Sequence, residues 1–226
     1  MAKWKERAVL LFKEEGIQKL ENANVLVVGL GGVGSFAAEF LARAGVGNMT
    51  IVDGDVVDIT NINRQLPALH STVGEPKVKI VGDRLMDINP ELKLTRIEEF
   101  LSPERAYELV SPEFDYVLDC IVACKRKKVK VISNMGAGGK FEAEKVRVRD
   151  ISKTEYCPLA KNVRKRLKME GISKGVKVVY SYERPDYSSI KTTDGTNFKK
   201  SFYGTNSWMP ALFGLHAAET VVKHLI

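Results

Sequence analysis

The sequence predicts an α/β protein, a doubly wound and mostly parallel sheet with helices on both faces and a C-terminal extension. Three observations point there. Short apolar runs that suit buried strands alternate with amphipathic helical stretches over the first 150 residues. A glycine-rich turn joins the first of these strands to the helix after it. Beyond Asp150 the alternation stops, and a basic helix, one strand, a polar loop and a closing apolar helix remain.

Residues 5 to 20 place Val9, Leu10, Phe12, Ile17 and Leu20 among charged neighbours, the pattern of an amphipathic helix. Val25 to Val28 is an unbroken apolar run, as in a strand covered on both faces. It leads through Gly29-x-Gly31-x-x-Gly34 into a helix from about Gly32 to Ala44, which Gly45 ends. "NMTIVDGD" is the second strand and closes a Rossmann-like strand–helix–strand unit of about 30 residues. Helical patterning follows from about Pro76 to Met86, then a strand near Leu92 to Ile97, a helix at Pro103 to Val110 and a strand at Tyr116 to Ile121.

The next strand, Val129 to Ser133, follows after only seven residues, "VACKRKK". A parallel crossover needs about a dozen or more. The second strand is therefore expected to be antiparallel or, preferably, a mobile segment is missing after Ile121. Further on, "PLAKNVRKRLKMEG" reads as a helix with a basic face, "KGVKVVYSYE" as a strand, "RPDYSSIKTTDGTNFKKS" as a polar loop and "WMPALFGLHAAETVVKHLI" as the closing helix. The expected division is a nucleotide-binding unit over residues 1–150 and a part over 151–226 that completes the sheet and supplies substrate and subunit contacts.

Composition narrows the function classes. With 226 residues, 44% hydrophobic and 28% charged, the chain can bury a substantial core. No apolar run approaches the roughly 20 residues of a membrane span. The amino end MAKWKERAVLLFKEEG is too charged for a secretory signal, so the cytoplasm is the expected compartment. Cys120, Cys124 and Cys157 form no C-x-x-C pair, which argues against a disulfide framework and a structural zinc site. His70, His216 and His224 lack the spacing of a triad or a metal site. The net charge of +7 suits an acidic partner such as nucleic acid.

Gly29, Gly31 and Gly34 allow a tight turn and close backbone approach, and the helix amino end that follows attracts phosphate. Asp53, at the end of the second strand, is placed to hold ribose hydroxyls, of a dinucleotide or of ATP. The choice between them falls to "NINRQLPALHSTVGEPKVKI", which carries Asn61, Arg64, Gln65 and Lys77. Hydride transfer has no need of two extra cations near the phosphates. An enzyme that must offset charge growing on an α-phosphate and a pyrophosphate leaving group does.

Together "GLGGVGSFAAEFLARAGVG", "DGDVVDITNINRQ" and "GEPKV" resemble the ATP-dependent activating enzymes of the ubiquitin-activating, ThiF and MoeB superfamily. "NINRQLPALHSTVGEPK", "DINPEL", "SNMGAGGK" and "PLAKNVRKRLK" look more narrowly like its tRNA threonylcarbamoyladenosine dehydratase branch. The resemblance implies that residues 1–150 form an adenylation domain with Gly29, Gly31 and Gly34 on the nucleotide phosphates and Asp53 on ribose. It puts Asn61, Arg64 and Lys77 on the triphosphate, Arg64 and Lys77 as the catalytic cations; Asp55, Asn63 and Gln65 also match the motif. Arg7 lies where relatives present an arginine across a dimer interface to the neighbour's ATP.

ATP with Mg2+, no zinc, a homodimer and a tRNA substrate are implied, and sulfur-transfer accessory proteins are raised as partners that no residue here identifies. Relatives carry a magnesium-binding aspartate in a D-C-x-D pattern, where this chain has Val122. If residues are missing after Ile121, that aspartate is among them.

The implied reaction activates the free carboxylate of threonylcarbamoyladenosine as an acyl-adenylate, which an atom of the same modification attacks to close a ring with loss of water. No enzyme cysteine is required, because proximity supplies the advantage. Three rivals remain: an adenylyltransferase for a ubiquitin-like sulfur carrier, which could use Cys157 as a thioester site; a non-catalytic tRNA-binding module; and a nicotinamide oxidoreductase. Lys161, Arg164, Lys165 and Lys168 fall at helical spacing and form one expected cationic stripe for tRNA, opposite Leu159, Val163 and Leu167 on the core side.

Overall fold

The computed structural model describes residues 3–193 and 201–226. In chain order the first half contains α1 (Glu6–Asn22), β1 (Asn24–Val28), α2 (Gly34–Ala44), β2 (Asn48–Val52), α3 (Lys77–Ile88), β3 (Lys93–Ile97), α4 (Pro103–Leu109) and β4 (Tyr116–Leu118). There follow α5 (Ile121–Lys127), β5 (Val131–Asn134), β6 (Val146–Asp150), α6 (Pro158–Met169), β7 (Lys177–Ser181), β8 (Ile190–Thr192), β9 (Ser201–Tyr203) and α7 (Trp208–Leu225).

Seven strands form one sheet in the order β3-β2-β1-β4-β5-β7-β6. Every pair is parallel except β6 with β7, so the expected α/β architecture with helices on both faces is the one observed. The chain builds outward from β1 through β2 to β3, then returns to β4 on the other side of β1. The order of strands reverses between β1 and β4, which opens a crevice at their carboxyl ends.

Alternation along β1 shows why these residues make a central strand. Val25 and Val27 join the core shared with α1, α2, α3 and α7, whereas Leu26 joins Val117, Val131, Ala123 and Cys124 on the opposite face. All three β1 residues are fully buried. Burying each contributes about 1.5–3 kcal/mol, enough to hold the strand end that carries the glycine turn. Gly45 ends α2 in the left-handed region at φ 96, its N–H capping the carbonyls of Leu41 and Ala42. Gly214 lets α7 lie directly on α2: a Cβ there would stand 2.5 Å from the Val33 carbonyl.

Four details differ from the sequence expectation. β4 and β5 run parallel, which overturns the antiparallel alternative. β4 stops at Leu118 and β5 starts only at Val131, and the short helix α5 occupies the link between them. Asp119 (φ 77) and Cys120 (φ 53) turn the chain out of β4 in the left-handed region, and Lys128 (φ 60) turns it back. The α1 stretch is interrupted at Lys13, whose φ of 62 and ψ of 169 are not helical. An unanticipated edge strand, β6, buries Val146 and turns Arg147 and Arg149 outward. The expected polar loop contains β8 and leads to β9, which pair as a small two-stranded sheet; its residues 194–200 lie outside the described residues.

Candidate functional site

The crevice between β1 and β4 is floored by the turn that leaves β1. Gly29 has a φ of 84, open to glycine at no cost, and its N–H donates to the Val52 carbonyl at 2.7 Å. A Cβ at Gly34 would stand 1.8 Å from the Gly29 carbonyl oxygen, so only glycine lets α2 begin this close to β1. The turn therefore directs the amino end of α2 into the crevice, where backbone N–H groups and the helix dipole favour an anion.

Asp53 ties this turn to the next strand. One carboxylate oxygen accepts the Leu30 N–H at 2.5 Å and the other accepts the Asp55 N–H at 2.7 Å. Each oxygen keeps a lone pair for a further donor. The adjacent Gly54 has no room for a side chain, because a Cβ would stand 2.7 Å from the exposed ring of Phe100. Phe100 is a site neighbour that sequence reading did not single out; an isolated aromatic after a charged strand carries no signal.

The cationic loop folds back beside the turn. Lys77 begins α3, is almost wholly buried, and donates to Asp55 Oδ2 at 2.9 Å. Arg64 Nη1 donates to the Thr60 carbonyl at 2.8 Å and to Asn63 Oδ1 at 2.9 Å. Asp58 lies within the field of both cations. Its carboxyl is held below the usual aspartate range first by the Thr60 hydroxyl and N–H, then by Lys77 and Arg64. Asn61 is buried and its Oδ1 accepts the Asp58 N–H at 3.3 Å, so it caps the 3-10 turn Ile59–Asn61. Asn63 Nδ2 reaches the Thr205 carbonyl at 2.8 Å and ties the loop to the segment after β9.

Two buried side-chain oxygens at this site have no hydrogen-bond partner among the described residues, Gln65 Oε1 and Asn134 Oδ1. Gln65 places its amide toward Gly31, with Nε2 3.8 Å from where a Cβ would be. A polar group left unpaired beside a glycine cradle fits a site built to receive a polar ligand. Asn134 ends β5 next to Asp119, whose carboxylate accepts from the Ser133 hydroxyl and the Asn134 N–H. Burial nevertheless pushes the Asp119 carboxyl up to about 6.

Gly29, Gly31, Gly34, Asp53, Asp55, Asn61, Arg64, Gln65 and Lys77 thus converge on one end of the sheet. Arg7 does not. It is exposed and lies two residues after Lys5, whose stem packs against Gly45 at the far end of α2, about 16 Å of helix from the turn. Within one chain it cannot reach the crevice.

The basic helix is rotated from expectation. Leu159 faces solvent, and Ala160, Val163 and Leu167 form the inner seam. Arg164 is half-buried and donates to the Thr154 carbonyl at 3.0 Å, so it is not a free member of the stripe. Lys161, Lys165 and Lys168 are exposed.

The thiols are poorly placed for covalent chemistry. Cys120 and Cys124 are pushed up to about 12, chiefly by burial, and Cys157 is buried at the start of α6. Among the described residues no group of three or more His, Cys, Asp or Glu could hold a metal ion, and no helix is long and apolar enough to cross a membrane.

The ThiF family model matches residues 5–225. The chain is 40% identical to a tRNA threonylcarbamoyladenosine dehydratase of Bacillus subtilis, over 97% of this chain and 93% of that protein. That alignment runs over 237 positions, more than the 226 residues here, so the relative has residues opposite gaps in this chain. Among solved structures, the Escherichia coli tRNA N6-threonylcarbamoyladenosine dehydratase TcdA in complex with ATP superposes with a TM-score of 0.89 at 33% identity, covering 100% of this chain and 96% of that one. The same enzyme in complex with AMP gives a TM-score of 0.89 at 34% identity, with the same coverage.

Proposed function

The chain belongs to the ThiF family, and on that premise we propose that it is an ATP-dependent tRNA threonylcarbamoyladenosine dehydratase. The observation that carries the reading is the Asp53 carboxylate, which holds the glycine turn and the Asp55 segment together and so sets the ribose position beside two cations.

In this reading Asp53 accepts hydrogen bonds from the ribose, and Gly29, Gly31 and Gly34 with the amino end of α2 hold the phosphates. Arg64 and Lys77 turn toward the α-phosphate and the leaving pyrophosphate, with Asn61 and Gln65 beside them. A carboxylate oxygen of the threonylcarbamoyl group attacks the α-phosphorus, and the bond to pyrophosphate breaks. An atom of the same modification then attacks the acyl carbon, AMP leaves with the former carboxylate oxygen, and the ring closes one water lighter. Preorganised cations lower the first barrier by several kcal/mol.

Among the described residues the carboxylates do not form a cage for Mg2+. Asp119 stands alone at the end of β4 with its oxygens engaged, so Mg2+ is read as entering with ATP, coordinated by the phosphates. Zinc has no part in the reading. The chain acts in the cytoplasm as a homodimer in which Arg7 faces the other copy's nucleotide, and tRNA lies along Lys161, Lys165 and Lys168, with Arg164 bracing their helix. Residues 1–150 carry the adenylation site, and 151–226 complete the sheet and add tRNA and dimer contacts.

Pyrophosphate release tests the proposal. With ATP it should rise steeply when tRNA carrying threonylcarbamoyladenosine is added and not with unmodified tRNA. Tight NAD binding without ATP binding would overturn it.

A further inference from the structure

The end of the sheet opposite the nucleotide crevice carries a cleft of about 380 Å3 lined by Tyr116, Lys125, Lys128, Lys130, Lys177 and His224, among other residues. The four lysines and His224 are exposed. Lys125 is partly engaged, donating to the Gly175 carbonyl at 3.2 Å. Lys128, Lys130 and Lys177 make no ion pair or side-chain hydrogen bond among the described residues. His224 stacks edge-on against Tyr116 at 5.3 Å.

Helix ends account for only part of this charge. Cations stabilise helix carboxyl ends, and Lys125, Arg126 and Lys127 occupy the last turn of α5. Arg126 pairs with Glu170 and Lys127 donates to the Val110 carbonyl at 2.7 Å, so both are occupied. Lys130 and Lys177 belong to no helix: one leads into β5 and the other begins β7. Burial, followed by the charges of Lys130 and Lys177, lowers the basicity of His224, with Asp115 opposing them, so the cations converge on one place.

The cleft continues the exposed face of α6. That helix starts near Gly136, whose Cβ position is 3.9 Å from Cys157 Sγ, and ends beside α5 through the Glu170–Arg126 pair. Its exposed lysines, Lys161 to Lys168, therefore extend about 10 Å along the helix, toward the end that lies beside the cleft. A row of unpaired cations of this length complements a repeating phosphate charge better than it does a single small anion.

We propose that the Lys128–Lys130–Lys177 cleft is a second contact for the tRNA phosphate backbone, continuous with the lysines of α6. The inference rests on the reading of tRNA as substrate and extends its footprint to the end of the molecule farthest from the nucleotide.

The test is tRNA binding by the full chain over a series of salt concentrations, for the unaltered protein and for Lys128→Gln, Lys130→Gln and Lys177→Gln combined. The slope of log affinity against log salt should fall by about two to three units and binding should weaken about tenfold or more, with ATP affinity unchanged. A matched variant, Lys13→Gln with Lys19→Gln and Lys93→Gln, carries the same net charge and should keep the original slope. An unchanged slope in the cleft variant, or an equal loss in the matched one, overturns the inference while leaving the dehydratase reading intact. Failure of the unaltered chain to bind tRNA overturns both.

Discussion

Lys77 donates to the Asp55 carboxylate across 2.9 Å from an almost wholly buried position, so the cation that begins α3 is held in an ion pair before any nucleotide arrives. Two residues of the same nucleotide-site motif are each other's partners, and ATP must compete with Asp55 for the ammonium or share it.

Asp55→Ala strands that buried ammonium. Breaking a buried pair costs about 3–5 kcal/mol, but the Asp55 side chain is 39% exposed and solvent screens the pair, so the expected loss is about 1–3 kcal/mol. Lys77→Met removes the charge and keeps the bulk, and should cost less. Denaturant unfolding of the two variants compares them directly; a larger loss for Lys77→Met would contradict this account of the pair.

Catalysis should separate from stability at the same loop. Lys77→Met and Arg64→Ala should each slow tRNA-dependent pyrophosphate release on the order of a hundredfold, since each removes a preorganised charge from the reacting phosphate. Among the described residues the Arg64 side chain bonds only to its own loop, so its variant should unfold close to where the unaltered chain does. Near-normal rates in both would remove these roles.

Gly34→Ala drives a methyl into the Gly29 carbonyl, where 1.8 Å is available. The turn must open, costing about 1–3 kcal/mol and deforming the phosphate cradle. ATP should raise the melting temperature of the unaltered chain by binding only the folded form. That rise should vanish in Gly34→Ala, and its persistence would show that the turn does not carry phosphate.

Asp119 makes stability depend on pH. Its folded carboxyl titrates at about 6, above the unfolded value near 3.8, so the folded state holds a proton that the unfolded state has released between those values. The stability linked to it is full below the unfolded value and is lost as pH rises through about 6, by up to about 3 kcal/mol. Asp119→Asn removes the charge and keeps one acceptor oxygen for the Ser133 hydroxyl. It should be more stable than the unaltered chain at pH 7.5 and lose this contribution to the slope between pH 4 and 6. Parallel stability curves for the two would refute the assignment.

Much of the site was legible because its signals are local. Gly29, Gly31 and Gly34 are spaced for a strand-to-helix turn, Asp53 ends an apolar run, and Arg64 and Lys77 flank a loop rich in turn residues. What escaped depends on conformations that residue type does not announce. Asp119 and Cys120 are not glycines, yet both adopt positive φ and turn the chain out of β4 after only three residues. β6 alternates valine with arginine and reads as surface until the edge of the sheet is known. In α6 Leu159 turns outward and Arg164 inward to the Thr154 carbonyl, a tertiary contact that helical spacing does not announce. The unpaired oxygens of Gln65 and Asn134 are purely tertiary facts.

The most direct test of the central claim is the nucleoside itself. The purified chain is incubated with ATP and tRNA carrying threonylcarbamoyladenosine, and the digested tRNA is analysed by mass spectrometry. The account predicts a nucleoside lighter by one water, formed only when ATP is present and still formed by Cys157→Ser. An unchanged nucleoside, from a chain that binds both ATP and the tRNA, would contradict it.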